Sequence, residues 1–491
     1  MTASTRPGGS SAPGIGFFRN VAQPLSVSGP SAGTAILPAT MVAVTGTAGA
    51  GSFLLGLVAG SLIVYVFASL ARQFSSAGAA YHYAGVLCGV RVAILVGWAY
   101  LVTYLAFAGS VLSNEANFVG VAIRYADGPS VPWPLVAFVL WAVCMVIVMR
   151  RIEFNTGFQV SMETLGVLSL LVVGVTVLVK AGGDGGGLGL DAFSLDGVSP
   201  GRLFLGIALA LGAFGGFESG ASLSEETDRP ARTVPAGMWT CLLLSGVLYI
   251  FACWFINIGF RGDVKRLAAS PAPLFELAES HFGRWVAFTM TVVVVLAGLS
   301  TVTAASTGAI RTLFAMGRDG LLRGGFSDSP GAGIPRRVVL LCALPILGLS
   351  VGFFWTSAYM AFQYVATAAA LMLTAVYLSI VMISVPWFAR MRSWPRAAAG
   401  VAASALLGYA LYASVDSQTA PALRALPYID LLLIAVAGVF VLVAAPVVRR
   451  VNASPHWREG REHRDRLLAE RASAPARTAS SASIDTSRSA P

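Results

Sequence analysis

Apolar and polar positions along this chain fall into long blocks. Apolar runs of about twenty residues, the length that spans a bilayer core as a helix, recur from Phe18 to Val448. Between them lie short stretches rich in arginine, glycine and proline. The pattern predicts spans at about 18–44, 52–71, 92–118, 131–149, 158–179, 203–224, 237–259, 285–312, 338–355, 359–385, 397–415 and 428–448. These are twelve transmembrane helices, the third long enough to require tilt. The predicted fold is an all-α polytopic membrane protein.

Two of the runs are interrupted. In the sixth, the apolar stretch Leu203 to Ala213 meets Gly215 and Gly216 and then an acid, Glu218. Glycine lets the helix open, and an opened helix survives in a membrane only where it lines a cavity or is buried in protein. An ionisable group at that depth is costly and usually functional. In the first run, Ala22 to Gly33 reads A-Q-P-L-S-V-S-G-P-S-A-G, with Pro24, Gly29 and Pro30 breaking it. Pro30 suits the start of a second half-helix, whose N–H groups would favour a carboxylate. Carbonyls freed at the sixth break, near Phe214, would favour an ammonium group. A single break reads equally well as a proline kink. The pairing of the first and sixth helices is what a five-plus-five inverted repeat requires, and it predicts a transporter site.

Composition narrows the class further. The 491 residues are 56% hydrophobic and only 11% charged, against about 25% charged in soluble domains. The net charge of +10 comes from arginines between spans and in the tail, so it points to lipid headgroups and not to nucleic acid. With both termini cytoplasmic, the inner segments carry sixteen Lys or Arg before the tail, the tail nine more and the outer loops eight; this bias predicts that orientation. No metal cluster, cofactor motif, nucleophile–base pair or H-E-x-x-H is visible, so neither an enzyme nor a cofactor is expected. Residues 1–16 read as a disordered cytoplasmic N-terminus without a signal peptide, and 182–189 as a flexible outer loop. Residues 451–491 read as a charged, then Ser/Ala-rich cytoplasmic tail, a short helix followed by disorder.

The chain resembles the amino acid–polyamine–organocation superfamily of amino acid permeases. Phe217 to Pro235, F-E-S-G-A-S-L-S-E-E-T-D-R-P-A-R-T-V-P, is similar to that family's helix 6 and the loop after it. Ser26 to Ala32, S-V-S-G-P-S-A, looks like the unwound first helix of one bacterial branch. Ala315 to Leu322 resembles the loop after helix 8, and Ser75 to Tyr83 is a weaker match after helix 2. The resemblance covers about 17–450 and implies repeats at about 17–180 and 200–388, with accessory helices at about 397–448. It implies secondary transport of amino acids or related amines. The Gly-rich G-x-G-I-F form common in helix 1 of the family is here replaced by S-V-S-G-P-S.

The candidate substrate contacts are Ser26, Ser28, Gly29, Pro30 and Ser31 at the first break, with Phe214, Gly215, Gly216 and Phe217 at the second. Tyr100 and Tyr104, four apart on helix 3, share one face and join that set. For the serines the alternative is local capping, and for the aromatics ordinary packing. Glu218 is the candidate proton-coupling acid, with a structural cap at the inner half-helix as its alternative. Glu163 on helix 5 is a second acid, with an interhelical hydrogen bond as its alternative. Glu115 reads as lining an outer vestibule. Thr301, Thr303, Ser306 and Thr307 on helix 8 make a weak sodium alternative, against hydroxyls that bond their own helix. Glu225, Glu226, Asp228, Arg229, Arg232, Arg318 and Asp319 are candidates for inner-gate ion pairs, with helix termination and solvation as the alternative.

The expected function is a secondary amino acid transporter of the cytoplasmic membrane, working by alternating access, with symport of protons (or sodium). Its partners are the lipid bilayer and a small amino acid or related amine. The alternatives are an amine or polyamine exchanger or exporter, and a non-transporting amino acid sensor. The substrate, direction and oligomeric state are left open by the sequence.

Overall fold

The computed structural model describes residues 16–74, 76, 78–150, 152–183, 189–322, 335–416 and 421–473. The N-terminal segment before Gly16, most of the 182–189 stretch and the tail beyond 473 lie outside them.

The first apolar run folds as three pieces, α1 (Phe17–Ser28), α2 (Pro30–Thr34) and α3 (Leu37–Thr45). Then come α4 (Gly49–Ala71), α5 (Ala80–Cys88), α6 (Val90–Tyr125), α7 (Trp133–Val148), α8 (Ile152–Gly183) and α9 (Pro200–Ala213). A short 3-10 helix, Phe217–Leu223, continues from α9. The remainder is α10 (Pro230–Gly259), α11 (Val264–Ala269), α12 (Pro273–Phe282), α13 (Arg284–Arg318), α14 (Arg336–Val351) and α15 (Ala358–Arg390), then α16 (Trp394–Asp416), α17 (Pro421–Val443), α18 (Ala445–Asn452) and α19 (Pro455–Ser473).

Among the described residues, nine helices are long and apolar enough to cross a membrane. Every expected span falls on helix, but the fourth and ninth fall on pieces of 16 residues, α7 and α14. The chain is an all-α, multi-pass membrane protein.

The bundle is organised around two very long helices, α6 of 36 residues and α13 of 35. They pack against each other, α15 packs along α6, and α1 lies between α8, α10 and α13. Small residues allow the close approach, as expected where lipid supplies no hydrophobic drive between helices. Gly308 of α13 faces the Tyr104 ring, and Gly97 of α6 sits against Tyr81 and Met316. On the periphery, Leu135, Val139, Leu431, Leu432 and Val443 stay exposed, an apolar outer surface suited to lipid.

The tail does not hang free at its start. Helix α19 docks under the bundle through Trp457, which is 0% exposed and fits where Gly85 of α5 has no side chain. Its ring lies against Tyr81 and stacks on His82. His456 and His82 are hydrogen-bonded at 3.0 Å, His463 bonds the Gln73 carbonyl at 2.9 Å, and Arg464 donates to the Val86 carbonyl at 3.0 Å.

Candidate functional site

The first break is a single left-handed residue. Gly29 has φ 52 and ψ 50, closes α1 by donating to the Leu25 carbonyl, and is followed by Pro30 at the start of α2. A Cβ at Gly29 would run into the Thr301 side chain, so both conformation and space require glycine. The polar groups at the break are engaged from neighbouring helices. Ser31 donates through its N–H (3.0 Å) and its hydroxyl (2.9 Å) to Oε1 of Glu163 on α8. The Ser28 carbonyl accepts from the Tyr249 hydroxyl at 3.0 Å, and the Ser28 hydroxyl lies 3.0 Å from Ser245 and 3.3 Å from the Ala213 carbonyl. Ser26 is buried, and its hydroxyl has no partner.

The second break spans Phe214 to Gly216. Gly216 has φ 95, and a side chain there would strike Val27 of α1, so the two breaks touch. The Gly216 N–H donates to the Tyr377 hydroxyl at 3.1 Å. Phe214 packs among Phe53 and Tyr249, and Phe217 among Phe67 and Tyr377.

Glu218, fully buried just after this break, sits in a cage of three tyrosines. Tyr104 donates to Oε1 at 2.9 Å, Tyr100 to the same oxygen at 3.2 Å, and Tyr377 to Oε2 at 2.5 Å. Tyr100 and Tyr104 therefore meet an acid, at the end of the stripe they share. Protonating Glu218 would turn one of these oxygens into a donor, so the tyrosine bonded to it would have to turn its own hydrogen elsewhere and accept, or give up the bond.

Above this layer lies a cavity of about 440 Å³, within the range of small-molecule sites. Its lining on α6 is Thr103, Phe107, Val111 and Asn114, the same helical stripe as Tyr100 and Tyr104 continued by one to three turns. On α15 the lining runs Tyr359, Gln363, Thr367, Ala370 and Thr374, and Tyr377 is the next position on that face. The three tyrosines thus lie about one helical turn beyond these lining positions, outside the lining itself. Ser28, Gly29, Ala32 and Gly33 form one wall, Gly212 and Ala213 another, and Thr301 contributes from α13. Of the expected contacts, Ser28 and Gly29 line this space; Ser26, Pro30, Ser31, Tyr100, Tyr104, Phe214, Gly215, Gly216 and Phe217 lie outside the lining. Sequence reasoning missed Tyr377, Asn114 and Gln363. The spacing of Tyr100, Tyr104, Phe107, Val111 and Asn114 was the available signal for the α6 wall.

The opposite side is closed. Arg311 of α13, 8% exposed, donates to the Ser222 carbonyl at 3.0 Å and pairs with Glu226 at 2.9 Å. Arg318 pairs with Glu225 at 3.0 Å, and Asp319 accepts from Tyr81 at 2.9 Å and from Ser454 at 3.3 Å. Asn20 of α1 donates to Thr227 at 2.9 Å and to the Gly220 carbonyl at 3.1 Å. Of the hydroxyls weighed for sodium, three bond their own helix, Thr303 to Ser300, Ser306 to Val302 and Thr307 to Thr303, at 2.9, 2.7 and 2.8 Å, while Thr301 Oγ1 has no partner. Among the described residues, no group of three or more His, Cys, Asp or Glu is placed to hold a metal ion.

A family profile described as amino acid permease matches residues 23–456. The chain is 30% identical over 295 residues to a vacuolar cationic amino acid transporter 2 of Arabidopsis thaliana, covering 56% of this chain and 45% of that protein. It is 28% identical over 264 residues to a low-affinity putrescine importer of Escherichia coli, 52% of this chain and 56% of that protein. A branched-chain amino acid permease of Lactococcus lactis is 26% identical over 340 residues, 63% of this chain and 69% of that protein. The chain spans about half the length of the plant relatives it matches.

Proposed function

The chain belongs to the amino acid permease family, and from that premise we propose that it is a secondary transporter of α-amino acids across the cytoplasmic membrane. It works by alternating access, with both termini in the cytoplasm. The observation that carries this reading is the pairing of one cavity with one caged acid at touching helix breaks. In a membrane, non-helical backbone and buried carboxylates belong at such sites. The Arg311–Glu226 and Arg318–Glu225 pairs are the closed cytoplasmic gate, and the cavity is the outward-facing vestibule.

Coupling runs through Glu218. A proton arriving there changes the donor pattern of Tyr100, Tyr104 and Tyr377, which sit one turn beyond the cavity on two of the helices that line it. These tyrosines are thereby linked to the Gly216 N–H, which Tyr377 also accepts. Proton symport is favoured over sodium because an ionisable carboxyl sits buried at the break, while three of the four α13 hydroxyls weighed for sodium are held by their own helix. Glu163, tied to Ser31, is the second acid.

The test uses purified protein in proteoliposomes. Glu218→Gln is expected to lose accumulation driven by an imposed pH gradient while keeping exchange of labelled substrate. Intact gradient-driven accumulation would reduce Glu218 to a structural cap. Saturable binding without any exchange in wild type would favour the sensor alternative.

A further inference from the structure

We infer that the cavity takes amino acids with uncharged, mainly apolar side chains and discriminates against cationic amino acids and diamines. This rests on the transport reading above and adds the class of side chain to it.

The walls that a substrate side chain would meet are Ile36, Phe107, Val111, Leu209, Leu371 and Leu373. None of the described residues lining the cavity carries a charge. A guanidinium or ammonium drawn from water into such a space needs a paired acid, because an unpaired buried charge is strongly disfavoured. Three buried carboxyls, Glu115, Glu163 and Glu218, lie near the two breaks, and none belongs to the described lining. Glu218 has its oxygens taken by three tyrosines, and Glu163 holds Ser31. Glu115, 0% exposed and with neither oxygen partnered, sits against Gly298 of α13 and outside the lining to which its neighbour Asn114 belongs.

The polar groups at hand suit the other end of an amino acid. Thr301 Oγ1 and Asn114 Oδ1 line the cavity, have no partner, and belong to residues only 2% and 3% exposed. A threonine hydroxyl can donate to a carboxylate, and an amide oxygen can accept from an ammonium. Thr103 and Thr367 are engaged with the carbonyls of Ala99 and Gln363, at 2.9 and 2.7 Å. Thr301 adjoins the break at Gly29, Thr40 Oγ1 is a third lining atom without a partner, and apolar surface remains for the part of an amino acid that differs. A diamine has no carboxylate for Thr301 and would bring a second cation to an uncharged wall.

The test is a panel of leucine, isoleucine, alanine, lysine, arginine and putrescine, with two readouts on the full-length protein. The first is competition against labelled leucine in proteoliposome counterflow; the second is thermal stabilisation in detergent. Leucine and isoleucine are expected to compete and stabilise. Lysine, arginine and putrescine should be weaker by on the order of a hundredfold, the scale by which a mismatched pocket rejects a substrate. Thr367→Glu, which adds a carboxylate to the wall, should improve arginine relative to leucine by about tenfold or more. Arginine or putrescine matching leucine in wild type would overturn the inference and leave the transport reading standing. Stabilisation by leucine without counterflow would support the class of side chain while removing the transport reading. Stabilisation by no member of the panel would remove the cavity as an amino acid site.

Discussion

Tyr377 holds two parts of the site at once, since its hydroxyl donates to Glu218 and accepts from the Gly216 N–H. Tyr377→Phe leaves a buried carboxylate short of a donor and a buried N–H without an acceptor, which costs about 1–3 kcal/mol per group. Tyr100, whose bond to Glu218 is 3.2 Å long, is expected to cost less on Phe substitution. Melting of the two variants in detergent checks the order, and equal losses would refute it. Gly29→Ala forces a side chain into left-handed backbone, at roughly 1–2 kcal/mol, and against Thr301. The double variant Gly29→Ala with Thr301→Ala should recover the clash but not the backbone term; full recovery would show that strain at Gly29 is unimportant. Gly29, Gly216 and Glu218 were legible in the sequence because each breaks a local rule of its own apolar run. Tyr377 was not, because it is one tyrosine in an unbroken run, 159 residues from the acid it serves. Phe214 and Phe217 were expected to wall the pocket; their rings instead pack with Phe53, Phe67 and Tyr249 behind it.

Among the elements, α19 is the one whose environment the pattern did not announce. Its surface is charged, and only Trp457 marks a buried side. Trp457→Ala removes the ring that fills the space beside Gly85, and large-to-small changes of this kind cost roughly 3–5 kcal/mol. The expected outcome is faster proteolysis within 455–473 with the membrane core still folded. Docking should also depend on pH. Burial, with His456, Arg318 and His463 nearby, holds the His82 pKa well below the usual histidine range. Asp319, its carboxyl pKa raised chiefly by burial, and the Tyr81 hydroxyl complete the surroundings. A depressed histidine pKa means that the docked state prefers neutral His82, so docking is firm above the ordinary value of about 6.5 and weakens as pH falls below it. Cleavage rates across that range check the sign. The long helices were easier to foresee than their ends. Helices α6 and α13 run past the expected spans, to Tyr125 and Arg318, because their last turns are polar and hydropathy stops at the membrane edge while the hydrogen-bond ladder does not.

At the scale of the whole molecule, the arginine bias predicts that both termini are cytoplasmic. Lys265→Cys on α11 should react with a membrane-impermeant thiol reagent in intact cells, and Glu459→Cys on α19 should not; the reverse would invert the topology. The order of the spans followed from blocks of hydropathy, whereas the contact between the two breaks needed the fold, because Gly216 and Val27 meet only once the bundle closes. One feature of that closed bundle bears on the working cycle. The first half-helix break exposes the Ser31 N–H, and Glu163 occupies it through Oε1 while Oε2 has no partner. A carboxyl group belonging to the protein thus caps an N–H that lies outside the lining of the cavity, independently of any cargo. A carrier capped in this way has no bare backbone group at that point inside the bilayer on either leg of its cycle, laden or empty. Glu163→Ala is accordingly expected to lower exchange across the membrane and net filling of empty vesicles alike, by about tenfold or more; exchange retained while net filling is lost would show instead that the cap matters only to the empty return.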